Sequence, residues 1–393
     1  MIMRKNEKPY LIMTPGPTQM HPDVLDALSL YETNPDLDSD FLEFYRILCQ
    51  DLSKKMNASG ATFVLAGEGI LGLEAACASM IEPGDRVLTI SNGIFGRGFD
   101  DFSKMYGAQT MLYEGDLRRG LDPVRLDRFI MDHGPFKVAT VVHCETPSGI
   151  TNDLETIGKV LNRHGILSIV DAVSSFGGEK LSVDDWGLDV VLSGSQKVLS
   201  GPAGLSTVTL SKRAVERIKG RTTPISSYYA NLSIWLDYYE KKSFPYTQPV
   251  QMLIALEKAV ERLEVETLVK RHKIFAEAVR GTFKQLGFEL YALDHESNTV
   301  TTVLLPPGVD FKTLFNQMKS HHGVLIGGGF NFLENKIFRI GHMGENLSAG
   351  KIAAALDALQ ACFVSMGAVF GTRRYSEVFL ELLEQQQEDL MAC

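Results

Sequence analysis

Leu167-Ser168-Ile169-Val170-Asp171-Ala172-Val173-Ser174-Ser175 is the stretch on which the fold turns. A short apolar run ends in a carboxylate and passes at once into small residues, as a buried strand does when it enters a loop. The next such run, at 189–192, leads into Ser193-Gly194-Ser195-Gln196-Lys197 and ends on a lysine. Positions 86–90, 138–143 and 206–210 are further short runs rich in Val, Ile, Leu and Thr. Helical periodicity fills the gaps at 69–80, 121–133 and 154–164. Strands alternating with helices imply an α/β sheet covered on both faces. Ligands of such sheets bind beyond the carboxyl ends of the strands, and Asp171 and Lys197 both stand there.

Working outward, residues 210–250 break the rhythm with Pro224, Pro245, Pro249 and a Tyr/Ser-rich stretch. Apolar positions Leu253, Leu256, Val260 and Leu263 then predict one long helix over 249–286. A strand at 299–305, a Pro-Pro-Gly turn at 306–308, another helix and a strand at 336–340 complete a smaller α+β unit. The expected division is an N-terminal segment 1–20, a large unit 21–255 and a small unit 256–393, since 393 residues exceed one ordinary core. The acidic, Gln-rich stretch 384–389 reads as a frayed helix end.

Composition bounds the function. Apolar residues make up 45% and charged residues 22%, the balance of a soluble globular protein. A net charge of −9 leaves no basic surplus for nucleic acid. Five scattered cysteines with no CxxC pair suggest neither a disulfide framework nor a thiolate zinc site. Arg4, Lys5, Glu7 and Lys8 interrupt any signal-peptide core, and no apolar run approaches the ~18 residues that span a bilayer. A cytoplasmic enzyme with neither a nucleic-acid nor a membrane partner is the expectation.

Lys197 lies between Ser, Gln and Gly on one side and Val198-Leu199 on the other. Partial burial lowers the pKa of an amine there and makes it nucleophilic. A carboxylate such as Asp171, set against a pyridine nitrogen, keeps that nitrogen protonated and lets the ring accept electrons. The plainer alternative for this pair is an ion pair at the sheet edge.

Further words accompany these two: Met13-Thr14-Pro15-Gly16-Pro17-Thr18, Gly72-Leu73-Glu74-Ala75-Ala76, Asn92-Gly93-Ile94-Phe95-Gly96, His143-Cys144-Glu145-Thr146-Pro147-Ser148-Gly149, Tyr246-Thr247-Gln248-Pro249-Val250 and Arg339-Ile340-Gly341-His342-Met343-Gly344. In this order, over roughly residues 10–362, the chain resembles the class V, fold-type-I aminotransferases of the alanine–glyoxylate and serine–pyruvate group. The resemblance implies a large, mainly parallel seven-stranded sheet covered by helices, with a smaller C-terminal α+β domain. It implies pyridoxal 5'-phosphate as cofactor, with an amino acid and a small 2-oxo acid such as pyruvate or glyoxylate as substrates. It also implies a homodimer, or a dimer-based homotetramer, with shared active sites.

By the same resemblance Lys197 is the Schiff-base lysine and proton carrier, and Asp171 the partner of the ring nitrogen. Phe95 stacks on the ring, and Thr146 and Ser148 lie near its phenolic oxygen. Glu68, Gly69, Ile70, Val173, Gln196 and Thr247 complete the cofactor site, with Thr247 supplied by the partner subunit. Gly16 and Arg339 bind substrate, the guanidinium fork clamping a carboxylate by two parallel hydrogen bonds.

The match departs from the family at the helix that should cradle the phosphate. The usual small hydroxyl residue is replaced by Glu68, its polar neighbour by Ile70, and the tyrosine that accompanies Thr247 by Phe244. A carboxylate ~4 Å from a phosphate costs about 4 kcal/mol per charge pair at an effective dielectric near 20. Either Glu68 turns away or serves the helix dipole, or the site takes no phosphate. Gly67-Glu68, Leu71–Ala76 and Phe244-Pro245-Tyr246-Thr247 are also similar to pyridoxamine–pyruvate transaminase, which uses the unphosphorylated vitamin as a substrate. Phe330 stands near where that enzyme has a second arginine. A phosphate-bound cofactor is the primary expectation, and the unphosphorylated substrate is the alternative.

Other candidates are weaker. His143, Glu145 and His164 could be imagined as metal ligands, but the family word accounts for the first two, and no metal is expected. Gly327-Gly328-Gly329 lacks the spacing of a nucleotide loop and reads as a flexible active-site loop near Arg339. His321-His322 reads as a helix end, and His342 either orients Arg339 or packs in the core. The same lysine chemistry supports lyases and desulfurases; the latter need a mobile reactive cysteine, and Cys144 is the one cysteine near the predicted site.

Overall fold

A computed structural model describes residues 9–392; Arg4–Lys8 and Cys393, used above, lie outside them. Thirteen strands are assigned: β1 Leu11–Met13, β2 Ala61–Leu65, β3 Arg86–Ser91, β4 Gln109–Glu114, β5 Val138–Val142, β6 Cys144–Glu145, β7 Ile150–Thr151, β8 Leu167–Asp171, β9 Val190–Gly194, β10 Ser206–Leu210, β11 Val300–Leu304, β12 Val324–Gly328 and β13 Ile337–Gly341. Seven form one sheet in the order β2-β10-β9-β8-β5-β3-β4. β8 pairs in parallel with β5 and β9, and β3 with β4 and β5. β5, β8 and β9 are buried along their whole length or nearly so, as parallel strands covered on both faces must be.

β10 alone runs against its neighbours. Residues 195–205, between β9 and β10, contain no helix, so the chain cannot make the long crossover that parallel pairing needs and turns back instead. Lys197 rides on that return loop. The antiparallel exception therefore places the lysine over the carboxyl ends of β8 and β9.

The second sheet has the order β1-β12-β13-β11. β1 is parallel to β12, whereas β13 is antiparallel to both β12 and β11. Met13 belongs to the core of this unit, with Phe283, Phe338, Leu359 and Phe363. β1 thus belongs to the second unit, and the chain crosses from it into the first through residues 14–18. The tail is the end of a helix, Tyr375–Ala392, whose Tyr375, Val378 and Phe379 pack into the same core.

Two expectations are corrected. The single helix over 249–286 is two, Val250–Glu261 and Val265–Gln285. The first buries Leu253, Leu256 and Val260, and the turn after it buries Leu263, all in the core of the large sheet; the second buries Phe275, Val279 and Phe283 in the other core. Val265 and Leu268, at the start of the second helix, still pack against the large-sheet core, so that helix passes from one core to the other along its length. Nor is 327–329 a flexible loop. Gly327 and Gly328 are ladder residues of β12 opposite Arg339 and Phe338. A Cβ on Gly327 would stand 2.8 Å from Pro15 Cδ, and one on Gly328 would collide with the Phe311 ring. Close packing, not mobility, is what these glycines serve.

Candidate active site

A cavity of about 170 Å³ lies beyond the carboxyl ends of β8 and β9, walled by Gly16, Pro17, Glu68, Gly69, Ile70, Leu73, Phe95, Thr146, Asp171, Val173, Ser174, Gln196 and Lys197. Ten of the thirteen carry a role in the sequence reading. Larger clefts exist, such as one of about 720 Å³ between His143, Trp186 and Lys270, but Asp171 and Lys197 share only the smaller one among those described.

Asp171, the last residue of β8, is buried, and its Oδ1 accepts the Val173 amide at 2.8 Å. Burial pushes its carboxyl up to about 6, the Val173 N–H and the Lys197 charge opposing. Its Oδ2 takes no hydrogen bond from the described residues. Lys197 Nζ donates to the Pro15 carbonyl at 2.6 Å. Burial, reinforced by the charge of Arg339, brings this amine down to about 8, while Asp171 and Glu68 pull the other way. The acid and the amine do not pair with each other, so the edge ion pair is not what is built. Gly16 makes room for the lysine: at φ +96° it has a left-handed conformation, and a Cβ there would run into the Lys197 side chain.

Arg339, on β13, donates Nε–H to the Gly328 carbonyl at 2.9 Å and reaches the Thr146 carbonyl at 3.4 Å. It has no carboxylate partner among the described residues, and burial lowers its pKa to about 10. A largely desolvated guanidinium with only carbonyl partners is poised for an anion. Phe95 opens the helix Ile94–Met105 and stands edge-on to Phe330, with ring centroids 6.0 Å apart. Thr146 Oγ1 and Ser174 Oγ lie 2.5 Å apart on the wall.

These positions match a known family. A family model described as "Aminotransferase class-V" covers residues 11–331. The chain belongs to that family. It is 33% identical over 387 residues to the pyridoxamine–pyruvate transaminase of Mesorhizobium japonicum, which covers 96% of this chain and 97% of the relative. The alanine–glyoxylate aminotransferase of Drosophila melanogaster is 30% identical over 370 residues, 90% and 92% of the two chains. The crystal structure of ureidoglycine–glyoxylate aminotransferase from Bacillus subtilis superposes with a TM-score of 0.93 at 30% identity, covering 97% of this chain and all of the other. The protein is an aminotransferase with the fold-type-I architecture expected from its sequence.

Class V aminotransferases depend on pyridoxal phosphate, and the pyridoxal part fits this cavity: an amine of lowered pKa, a buried carboxylate with an oxygen to spare, and an aromatic side chain share its wall. The phosphate end is less plainly provided. Glu68 caps the helix Gly69–Met80, its Oε1 accepting the Ile70 amide at 3.1 Å. Glu68 is therefore a helix-start acid in this aminotransferase, occupying one of the amides that an anion would use. Gln196 Oε1 is buried on the same wall without a partner, a polar atom awaiting one.

Three assigned residues lie off the wall: Arg339, described above, Ser148 and Thr247. Ser148 is buried, its hydroxyl donating to the Glu145 carbonyl at 3.2 Å within the tight turn that Gly149 closes. Thr247 is exposed, and its hydroxyl bonds Asp36 at 3.1 Å. Pro17, Leu73 and Ser174 line the cavity without having been assigned a role, although all three stand in or beside the quoted words. The metal candidates do not converge: His164 bonds Asp127 at 2.7 Å, His143 is buried against Trp186, and Glu145 accepts backbone amides. His342 Nε2 faces Thr301 Oγ1 at 2.8 Å inside the fold, so it packs in the core and does not orient Arg339. Cys144 is buried with its thiol pushed up to about 12, the opposite of a desulfurase cysteine. Among the described residues no helix is long and apolar enough to cross a membrane.

Proposed function

We propose that this aminotransferase moves an amino group between an alanine- or serine-like amino acid and a small 2-oxo acid, pyruvate or glyoxylate, with pyridoxal 5'-phosphate as its cofactor. The observation that carries this is the unpaired acid and amine, Asp171 and Lys197, facing one cavity with the unpaired Arg339 behind it. When bound, the cofactor supplies an electron sink for the pair left behind as a substrate Cα proton departs. The chain supplies the rest. Lys197 Nζ would be the nucleophile and the base that takes up and returns the substrate Cα proton. Asp171 Oδ2 accepts the ring N–H. Phe95 covers one ring face, and Arg339 turns its fork to the substrate carboxylate in place of carbonyls.

A homodimer, or a dimer-based homotetramer, in the cytoplasm belongs to the same reading. Exposed Tyr228 and Tyr229, beside an exposed Thr247 that serves nothing in its own cavity, support a partner there. The test is the absorption spectrum of the purified protein, alone and with added pyridoxal phosphate. A visible absorption band that Lys197→Ala abolishes is expected, since a lysine imine conjugated with the pyridoxal ring is coloured. An unchanged band, or undiminished turnover, in Lys197→Ala would sink the proposal.

One observation favours a second reading. The Glu68 carboxylate already holds the Ile70 amide, and the relative at 33% identity is a pyridoxamine–pyruvate transaminase. Under that reading unphosphorylated pyridoxamine is the amino donor. A protein that is colourless as purified and forms its band only with unphosphorylated pyridoxal would select it.

A further inference from the structure

Glu145 is fully buried in β6. Among the described residues no lysine or arginine forms a salt bridge with it, and the charged neighbour that acts most on it is another acid, Asp171. Its carboxylate instead collects backbone amides from the first turn of the helix Ile94–Met105. Oε2 accepts the Phe95 N–H at 3.2 Å, Oε1 accepts the Gly96 N–H at 2.5 Å, and the Ile94 amide also bears on the group. Amides in a first turn have no partner inside the helix, and the residue in the N-cap position, Gly93, has no side chain to serve them. A carboxylate fifty residues away in sequence does the work of the cap. The loop is shaped around it. A Cβ on Gly93 would collide with the Glu145 carboxyl, and one on Gly96 would come within 3.1 Å of Oε1. Gly93 has extended backbone, so it is space, not conformation, that calls for glycine.

The middle amide of the three belongs to Phe95, whose ring forms part of the cavity wall. We propose that Glu145 is a positioning residue: by holding the amides of residues 94–96 it fixes the Phe95 ring, and through it the plane in which a flat heteroaromatic ligand can lie against Asp171. This rests on the pyridoxal reading above for the identity of the ligand, but not for the cap itself. Burial lifts the Glu145 carboxyl to about 7 despite three N–H donors. Such a carboxylate is costly to keep, and a cap residue on the surface would hold the helix without that cost.

Two measurements on the full-length protein test the proposal. The first is hydrogen exchange across 94–96 without any ligand. Protection is expected in the wild type, although first-turn amides ordinarily exchange freely, and Glu145→Gln should lose it by about tenfold, since a hydrogen bond to a charged group is worth that much or more. The second is the dissociation constant for added pyridoxal phosphate, followed by absorbance and by the circular dichroism of the bound band. Glu145→Gln should weaken binding about tenfold and reduce the band's dichroism. In a Phe95→Leu background the same change should alter binding by less than about twofold, because coupled residues are not additive. Gly93→Ala, which leaves Glu145 in the chain but displaces its carboxyl, should copy Glu145→Gln and covers the case in which that variant does not fold. Free exchange at 94–96 in the wild type, or additive losses in Glu145→Gln and Phe95→Leu, would overturn the proposal. If the wild type forms no band at all, the reading of function falls, and the exchange arm alone decides whether Glu145 fixes Phe95.

Discussion

Burial holds the Lys197 amine at about 8 against an ordinary 10.5, and that difference has a cost to the fold. Below pH 8 the amine is charged in the folded and unfolded states alike, so the cost is fully present. Between 8 and 10.5 the folded protein has released a proton that the unfolded chain still holds, and stability rises with pH. Lys197→Met should therefore stabilise the cofactor-free protein by about 2–3 kcal/mol at pH 7, an advantage that fades between pH 8 and 10.5. Urea unfolding at pH 7 and pH 10 checks it, and a gap that does not narrow would speak against a charged buried amine. Asp171 has the opposite dependence. Its carboxyl is raised from 3.8 to about 6, so the buried charge destabilises increasingly as pH climbs from 4 to 6. Asp171→Asn should lose little or no stability at pH 7, while weakening the binding of pyridoxal compounds at least about tenfold through the lost charge-assisted hydrogen bond. Both residues were legible because strand ends announce themselves in sequence. The Pro15 carbonyl that holds the amine was not, since a backbone acceptor carries no mark of its own.

We propose that the helix Gly69–Met80 is the element in which cofactor choice is decided. Its first turn presents amides to the cavity, and Glu68 covers one of them. Glu68→Ser keeps a side-chain oxygen at the cap and removes the negative charge. Stability should change by less than about 1 kcal/mol, while affinity for phosphorylated over unphosphorylated pyridoxal should rise at least tenfold, less than the ~4 kcal/mol of a close charge pair allows. Equal gains for the two ligands in a binding titration would show that the carboxylate does not sense phosphate. The sequence placed this helix and its opening acid correctly but left two fates for Glu68 open, because a rotamer choice between helix dipole and cavity is not written in neighbouring residues. The turn at 145–149 shows the same limit: Thr146 faces the cavity and Ser148 its own backbone, though the two hydroxyls stand in one word.

Across the whole molecule, the large sheet, its mainly parallel order and the second α+β unit were legible from the alternation of runs. The break at Arg262–Glu264 was not, since apolar spacing continues smoothly through it and Val265 and Leu268 beyond it still pack on the large-sheet core. We propose that the division between the units falls after this break and not near 255. Leu263→Ala should then cost about 2–4 kcal/mol as a core truncation, whereas Glu264→Ala should stay within about 0.5 kcal/mol, both read from chemical denaturation. The crossing of the N-terminal chain was equally hidden, because three residues of β1 carry too short a pattern to say which sheet they join. That crossing has a consequence for how the protein is made. Leu11 pairs with Val324, and Pro15, just beyond, holds the Lys197 amine. On the ribosome the first strand must wait for a partner synthesised some 300 residues later, which at 5–20 residues per second is roughly 15–60 s. The large sheet can be finished long before its lysine is docked, so the nascent chain acquires its fold early and its chemistry last.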